Sequence, residues 1–150
     1  MNKTEDKDRG RKRILKDLDV IDNAHVLVGL FADAQYDDGL SVAEIMAVHE
    51  YGSKDGKIPE RSFIRSTDAE KDTVFEQTRK EMLSDVLRGV TGVRGALMII
   101  GEEVRAAYVE KIKSGVEPEL AEVTKERKGS SLPLVDTGTA LNSIKQRVVM

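Results

Sequence analysis

Asp136-Thr137-Gly138 follows the run Leu132-Pro133-Leu134-Val135. This is the local signature of proteases that work with paired aspartates. In them two such turns bring two carboxylates together, and the pair shares one proton because two charges so close cannot both ionise. Here the tripeptide occurs once, and only 12 residues follow Gly138. A half-size enzyme of that kind needs a sizeable β-barrel after the motif. The apolar-apolar-Gly segment that would partner it falls upstream, as Ile99-Ile100-Gly101, inside a helical pattern. Asp136 therefore reads first as a cap that accepts backbone N–H groups of the following turn, contributing about 1 kcal/mol. Gly138 then supplies a backbone conformation other residues avoid. A hydrolase using Asp136 is kept as the remote alternative.

The other chemistry-bearing residues form no set. His49-Glu50 lacks the second His, four residues along, that a zinc-binding helix needs, and His25 stands alone. There is no Cys, which excludes disulfides and thiolate metal sites. The glycines do not lead into Gly-Lys-Ser/Thr, so no phosphate cradle is expected. No catalytic, cofactor-binding or metal-binding residue is assigned. The basic run Arg9–Arg13 opens a helix that Asp17, Asp19 and Asp22 close, an order opposed to the helix macrodipole. It reads as a solvated face.

The elements that must position these residues are mostly helical. Ile14, Leu15, Leu18 and Ile21 make one helical stripe. The run 25–31 (HVLVGLF) is apolar on both faces and reads as a buried strand, with Gly29 marking a bulge or close backbone approach. Ser41 with Glu44 forms a capping box for a short helix that Gly52 ends. Thr67 with Glu70 reads as a second capping box, opening a long helix with Val74, Phe75, Met82, Val86 and Leu87 on its apolar face. The stretch 89–92 (GVTG) breaks it. A further helix starts near Val93 and carries Leu97, Ile100, Val104, Tyr108 and Ile112 at three- and four-residue steps. Gly89, Gly92 and Gly95 fall three apart, a row that allows close packing. A polar loop spans 114–133, and the chain closes with a short turn-helix and a strand near 144–149. The expected class is α+β: a small, mostly antiparallel sheet, strands near 25–31 and 144–149, packed with two long helices and a basic N-terminal helix.

Composition bounds the rest. The length of 150 residues suits one domain, here 9–150, with residues 1–8 expected to be disordered. With 34% charged residues and 4% aromatics, the core must be built mainly from aliphatic side chains. The N-terminus lacks a signal-peptide core, and the longest apolar run, 96–100, is too short to span a bilayer. A soluble protein made in the cytoplasm, with no membrane partner, is expected. A net charge of −3 provides no global basic field for nucleic acid.

The segment 47–70 (AVHEYGSKDGKIPERSFIRSTDAE) sets Phe63-Ile64 between Arg61 and Arg65. That is the composition of an interface patch, and equally of a loop anchored by Phe63 in its own core.

At these residues a resemblance emerges. Residues 42–66 resemble the His-Glu-Tyr/Phe-Gly…Ile-Pro-x-Arg-x-Phe-Ile/Leu-Arg segment of tailed-phage neck proteins, the tail-completion or virion-morphogenesis family of head–tail joining. Residues 124–149 resemble that family's ending, Lys-Gly-Ser…Pro-Leu-x-Asp-Thr-Gly-x-Leu-x-x-Ser-Ile. The likeness runs in order across about 25–150. Glu60 and Ser62 stand where the family often shows small residues and Pro, and Thr139-Ala140-Leu141 is one residue longer than its usual step.

The resemblance implies a non-enzymatic part of the virion, made in the host cytoplasm. Such subunits form a ring of roughly six or twelve copies at the neck, which joins the tail to the DNA-filled head and lines the DNA channel. Implied partners are other copies, portal-side connector proteins, tail terminator or tail tube proteins, and non-specifically the packaged DNA. The ring that terminates the tail tube is the alternative. The interface or loop-anchoring residues would be His49, Glu50, Tyr51, Gly52, Pro59, Arg61, Phe63 and Arg65, with Asp136, Thr137, Gly138 and Ser143.

Overall fold

The computed structural model describes residues 10–118 and 138–150. The expectations for residues 1–8, for the polar loop beyond Pro118, and for Asp136 and Thr137 lie outside the described residues. Within them the order is α1 (Arg11–Ile21), β1 (His25–Leu30), α2 (Val42–Tyr51), α3 (Ile64–Arg88), α4 (Val93–Ser114), α5 (Thr139–Ser143) and β2 (Ile144–Val149). The class is α+β, as the sequence led us to expect. No helix among the described residues is long and apolar enough to cross a membrane.

β1 and β2 form an antiparallel pair that runs without interruption from His25↔Val149 to Leu30↔Ile144. The pleat sends alternate side chains to opposite faces. Val26, Val28 and Leu30, with Ile144, Gln146 and Val148 opposite, face the helices; His25, Leu27, Lys145, Arg147 and Val149 are exposed. This corrects the reading of 25–31 as a strand buried on both faces. Among the described residues the sheet has only two strands and α4 packs on one side of them; none of those residues covers Leu27 on the second face, and it remains 47% exposed. Gly29 marks neither a bulge nor a close approach. The register passes through it one to one, and a side chain there would meet open space. Its φ of 151° is what requires glycine.

Ser41 caps α2 as its type suggests: its hydroxyl accepts the Glu44 backbone N–H at 3.3 Å. The second capping box does not form. α3 begins at Ile64, three residues before Thr67, and the Thr67 hydroxyl donates instead to the Phe63 carbonyl at 2.6 Å. The cap comes from Glu50, a residue distant in sequence. The glycine row is borne out in part: a Cβ on Gly89 would lie 3.1 Å from the guanidinium carbon of Arg13 and one on Gly95 2.7 Å from Thr91 Oγ1, whereas Gly92 faces open space. Gly89 and Gly92 flank the break between α3 and α4 as helix caps. A tighter approach is at Gly101, on α4 against the sheet. A Cβ there would sit 2.0 Å from Gln146 Oε1 and 2.6 Å from Val26 Cγ2.

Two apolar clusters hold the layers together. The larger joins Met46 of α2, Phe63, Tyr108 and Ile112 of α4, Ala140 of α5 and Ile144 of β2. Removing a side chain the size of Phe63 or Ile112 from water contributes about 1.5–3 kcal/mol. The smaller lies where α1 meets the break: Val86, Val93 and Ala96, covered by Val20, Ile21 and Met82. Of the apolar face expected for α3, Phe75 and Val86 are buried, whereas Val74 is largely exposed.

Candidate functional site

The segment that carries most of the candidate residues folds into one corner. α2 ends at Tyr51, and Gly52 turns the chain at φ 76°. A Cβ on Gly52 would lie 3.1 Å from the Glu60 nitrogen and 3.3 Å from the Ile58 oxygen, so the returning strand of loop can approach only a glycine. The loop closes on itself. Ser53 N–H donates to the Ile58 carbonyl at 2.9 Å, and Ile58 N–H donates to the Ser53 hydroxyl at 2.8 Å. Pro59 lies exposed on this return. Arg61 N–H then donates to the His49 carbonyl at 2.7 Å, pinning the loop to the last turn of α2.

Glu50 is the centre of the corner. It is only 3% exposed, and a carboxylate buried to that degree must be fully hydrogen-bonded. Its Oε2 accepts the N–H groups of Phe63 at 2.7 Å and Ile64 at 3.0 Å. Its Oε1 accepts Arg65 N–H at 3.0 Å, the Ser62 hydroxyl at 2.7 Å and Arg65 Nε at 3.1 Å. These backbone groups are the orphan donors of the first turn of α3, and a negative charge there also meets the positive end of the helix dipole. Burial alone would raise the Glu50 carboxyl; the bonds from Ile64, Arg65, Ser62 and Phe63 outweigh it and hold the group below the ordinary carboxylate range. Glu50 is ionised and fixed.

Arg65 clasps the corner from outside. Besides Oε1 of Glu50, its guanidinium donates to the Glu50 carbonyl at 2.7 Å and to Glu60 Oε1 at 2.8 Å. It lies 4.7 Å from the centre of the Tyr51 ring, a cation–π distance. Tyr51 itself is 66% exposed. A small cavity beside it, about 190 Å³, is lined by Leu30, Ala47, Met46, Phe63 and Ile64.

The candidate residues thus divide. Glu50, Arg61 and Phe63 are inside; Phe63 is 1% exposed and Arg61 6%. Arg61 Nε donates to the Pro118 carbonyl at 2.7 Å, tying the corner to the segment that follows α4, and burial lowers its pKa from the usual arginine range. Tyr51, Pro59 and Arg65 face solvent. His49 is half-buried and contributes its carbonyl to the corner. Gly138 and Ser143 belong to a separate place, α5. Gly138 has φ 79° at its start, and the buried Ser143 hydroxyl donates to the Thr139 carbonyl at 2.7 Å. α5 touches α2.

Sequence reasoning missed several partners. Ser62 and Glu60 complete the charge network around Glu50 and Arg65, with only their polarity as a signal. The phenol of Tyr108 donates to Asp68 at 2.8 Å across α4 and α3. Its pKa is pushed well up by burial, by the bond to Asp68 and by the charges of Asp68 and Glu50, so it stays a donor. Arg13, read as part of a solvated basic face, donates to the carbonyls of Val86 at 2.8 Å and Leu87 at 2.7 Å at the end of α3, and pairs with Asp17 at 2.7 Å. Among the described residues no group of three or more His, Asp or Glu side chains is placed to hold a metal ion.

The corner can hold backbone in place and present Tyr51, Arg65 and the neighbouring cavity at one surface. No protein-family model, curated protein or solved structure matches the chain.

Proposed function

We propose that this chain is a structural assembly protein of a tailed phage or prophage, one subunit of a ring at the neck. The ring joins the tail to the DNA-filled head and surrounds the channel through which DNA passes. No bond is made or broken in that task. Portal-side connector proteins lie on one side of it and tail terminator or tube proteins on the other.

One observation carries the reading. The residues that resemble the neck-protein segment are mutually dependent in space. Glu50 holds the backbone of Phe63 and Arg65, the His49 carbonyl holds Arg61, and Gly52 admits the chain beside Glu60. A chance match of scattered residues has no reason to close into one hydrogen-bonded unit. The net charge of −3 also suits a DNA channel, because a strongly basic wall would bind phosphates tightly and slow passage.

Deleting the gene from the phage or prophage that encodes it and imaging the particles tests the reading. The expected result is filled heads beside unjoined tails of normal length. Tails of uncontrolled length would point to the terminator ring instead. Intact virions would refute both.

A further inference from the structure

We propose that copies of this chain join edge to edge through their sheets, with the outer edge of β1 in one copy pairing antiparallel with the outer edge of β2 in the next. The inference rests on the ring reading and names the contact that builds the ring.

Among the described residues neither strand has a backbone partner on its outer side. The sheet has two strands and α4 covers one of its faces, but each open edge still presents a row of N–H and C=O groups ready to pair with another chain. Proteins that keep such edges single protect them with proline, bulges or charge. β1, His25-Val26-Leu27-Val28-Gly29-Leu30, carries no proline and no Asp, Glu, Lys or Arg, and its register is unbroken. It is unprotected.

Charge selects the occupant. Joining β2 to β2 of a second copy would bring Lys145 and Arg147 against the same residues, and like charges across strands are destabilising. Joining β1 to β2 repeats a pairing the chain already makes internally, where Arg147 stands opposite Leu27 and Lys145 opposite Gly29. Just beyond β1, Asp33 lies 2.8 Å from Arg147 and 4.0 Å from Lys145, and the Phe31 ring lies 3.9 Å from the Arg147 guanidinium. The β1 side of the sheet therefore already accommodates the β2 cations.

Topology selects the same pairing. A join of identical edges closes at two copies, whereas a join of different edges propagates and can close a ring. There is also room. On the β2 side, Arg94 and Met98 of α4 form an open cavity of about 400 Å³ with Gln146, Arg147 and Val148. Met98 is half-exposed there.

The chain has no cysteine, so disulfide trapping starts from a clean background. Leu27, Lys145, Arg147 and Val149 lie on the exposed face of the sheet, and substitution there leaves the core intact. Four variants, Leu27→Cys, Lys145→Cys, Arg147→Cys and Val149→Cys, are purified reduced, concentrated singly or as Leu27→Cys mixed with each β2 variant, and oxidised. A disulfide-linked dimer in at least one mixture, and in none of the single variants, is the expected result. A dimer from a single variant places identical edges together and overturns the proposal; so does the absence of dimer in every mixture. Light scattering on the unsubstituted protein separates this failure from that of the ring. Oligomers without any mixed dimer would remove the edge contact and leave the ring standing. A protein that stays monomeric at every concentration and gives no mixed dimer overturns the edge contact, and the particle imaging above then decides the neck reading by itself.

Discussion

At the N-terminus of α3 a buried carboxylate, Glu50, gathers five donors. At its C-terminus an exposed guanidinium, Arg13, donates to two carbonyls. Both charges have the sign that the helix dipole favours, and both come from elements distant in sequence. Their surroundings differ. Glu50 is enclosed by the main core beside Phe63, whereas the Arg13 side chain is 40% exposed and shares its charge with Asp17. The same device fixes a corner at one end and only steadies a helix at the other. A buried charge with every lone pair used cannot be lost cheaply, while an exposed one is replaced by water.

The largest test of that contrast is Glu50→Ala. It strands the first-turn N–H groups and the Ser62 hydroxyl, and should cost about 3–5 kcal/mol, read by urea unfolding. Phe63→Ala, in the same corner, should cost a similar amount, about 3–5 kcal/mol, through the cavity it leaves. A loss under about 1 kcal/mol at Glu50 would equate the two ends and break the comparison.

Acid sharpens it. Glu50 is held below its ordinary range in the folded chain, so the unfolded chain binds the more protons as pH falls. The stability Glu50 contributes is complete above the unfolded glutamate pKa, about 4.3, and is lost as pH drops through the lower folded value. The protein should therefore lose stability below about pH 4.3. Glu50→Gln should be less stable at neutral pH and show a flatter decline in that window. An unchanged decline in the Gln variant would assign the acid response elsewhere.

Next in size comes Gly101→Ala. The new methyl would collide with Gln146 Oε1 and Val26 Cγ2, an overpacking that should cost about 1–3 kcal/mol. It lies outside both ends of α3 and calibrates them against ordinary packing. The smallest effect is Arg13→Ala, about 0.3–1 kcal/mol at low salt. That difference should shrink as salt is added, while the Glu50→Ala loss persists. The ends are separated by the 25 residues of α3, about 37 Å at 1.5 Å per residue. The double variant should then be additive within about 0.5 kcal/mol.

Local patterns in the sequence were the legible part. The 3.6-residue stripe of α4, the Ser41 cap with the Gly52 stop, the 89–92 break and the α5–β2 ending all depend on residues near one another, and each appears in the structure; the stripe expected for α1 does not, because Leu15 and Leu18 are exposed and Val20 and Ile21 make its core contacts. What was not legible is non-local. Thr67 and Glu70 matched a capping box, yet α3 starts earlier because Glu50 reaches in from α2. Gly29 and the 89–95 glycine row suggested close packing, which holds at Gly89 against Arg13 and not at Gly29, and only three-dimensional placement shows Gly101 beneath Gln146. The burial of β1 was misjudged because composition does not report how many layers cover a sheet. Among the candidate site residues, the sequence singled out Glu50 and Arg65 without indicating that one closes on the other. Their roles come from distances, which spacing along the chain does not encode.

The neck assignment has its most direct test in reconstitution. A lysate of the gene-deleted phage, containing unjoined heads and tails, is supplied with the purified protein, and infectious particles are counted. The account predicts that titre rises with added protein and that Glu50→Ala restores far less of it. A titre indifferent to the protein, with filled heads and finished tails both present, would contradict it.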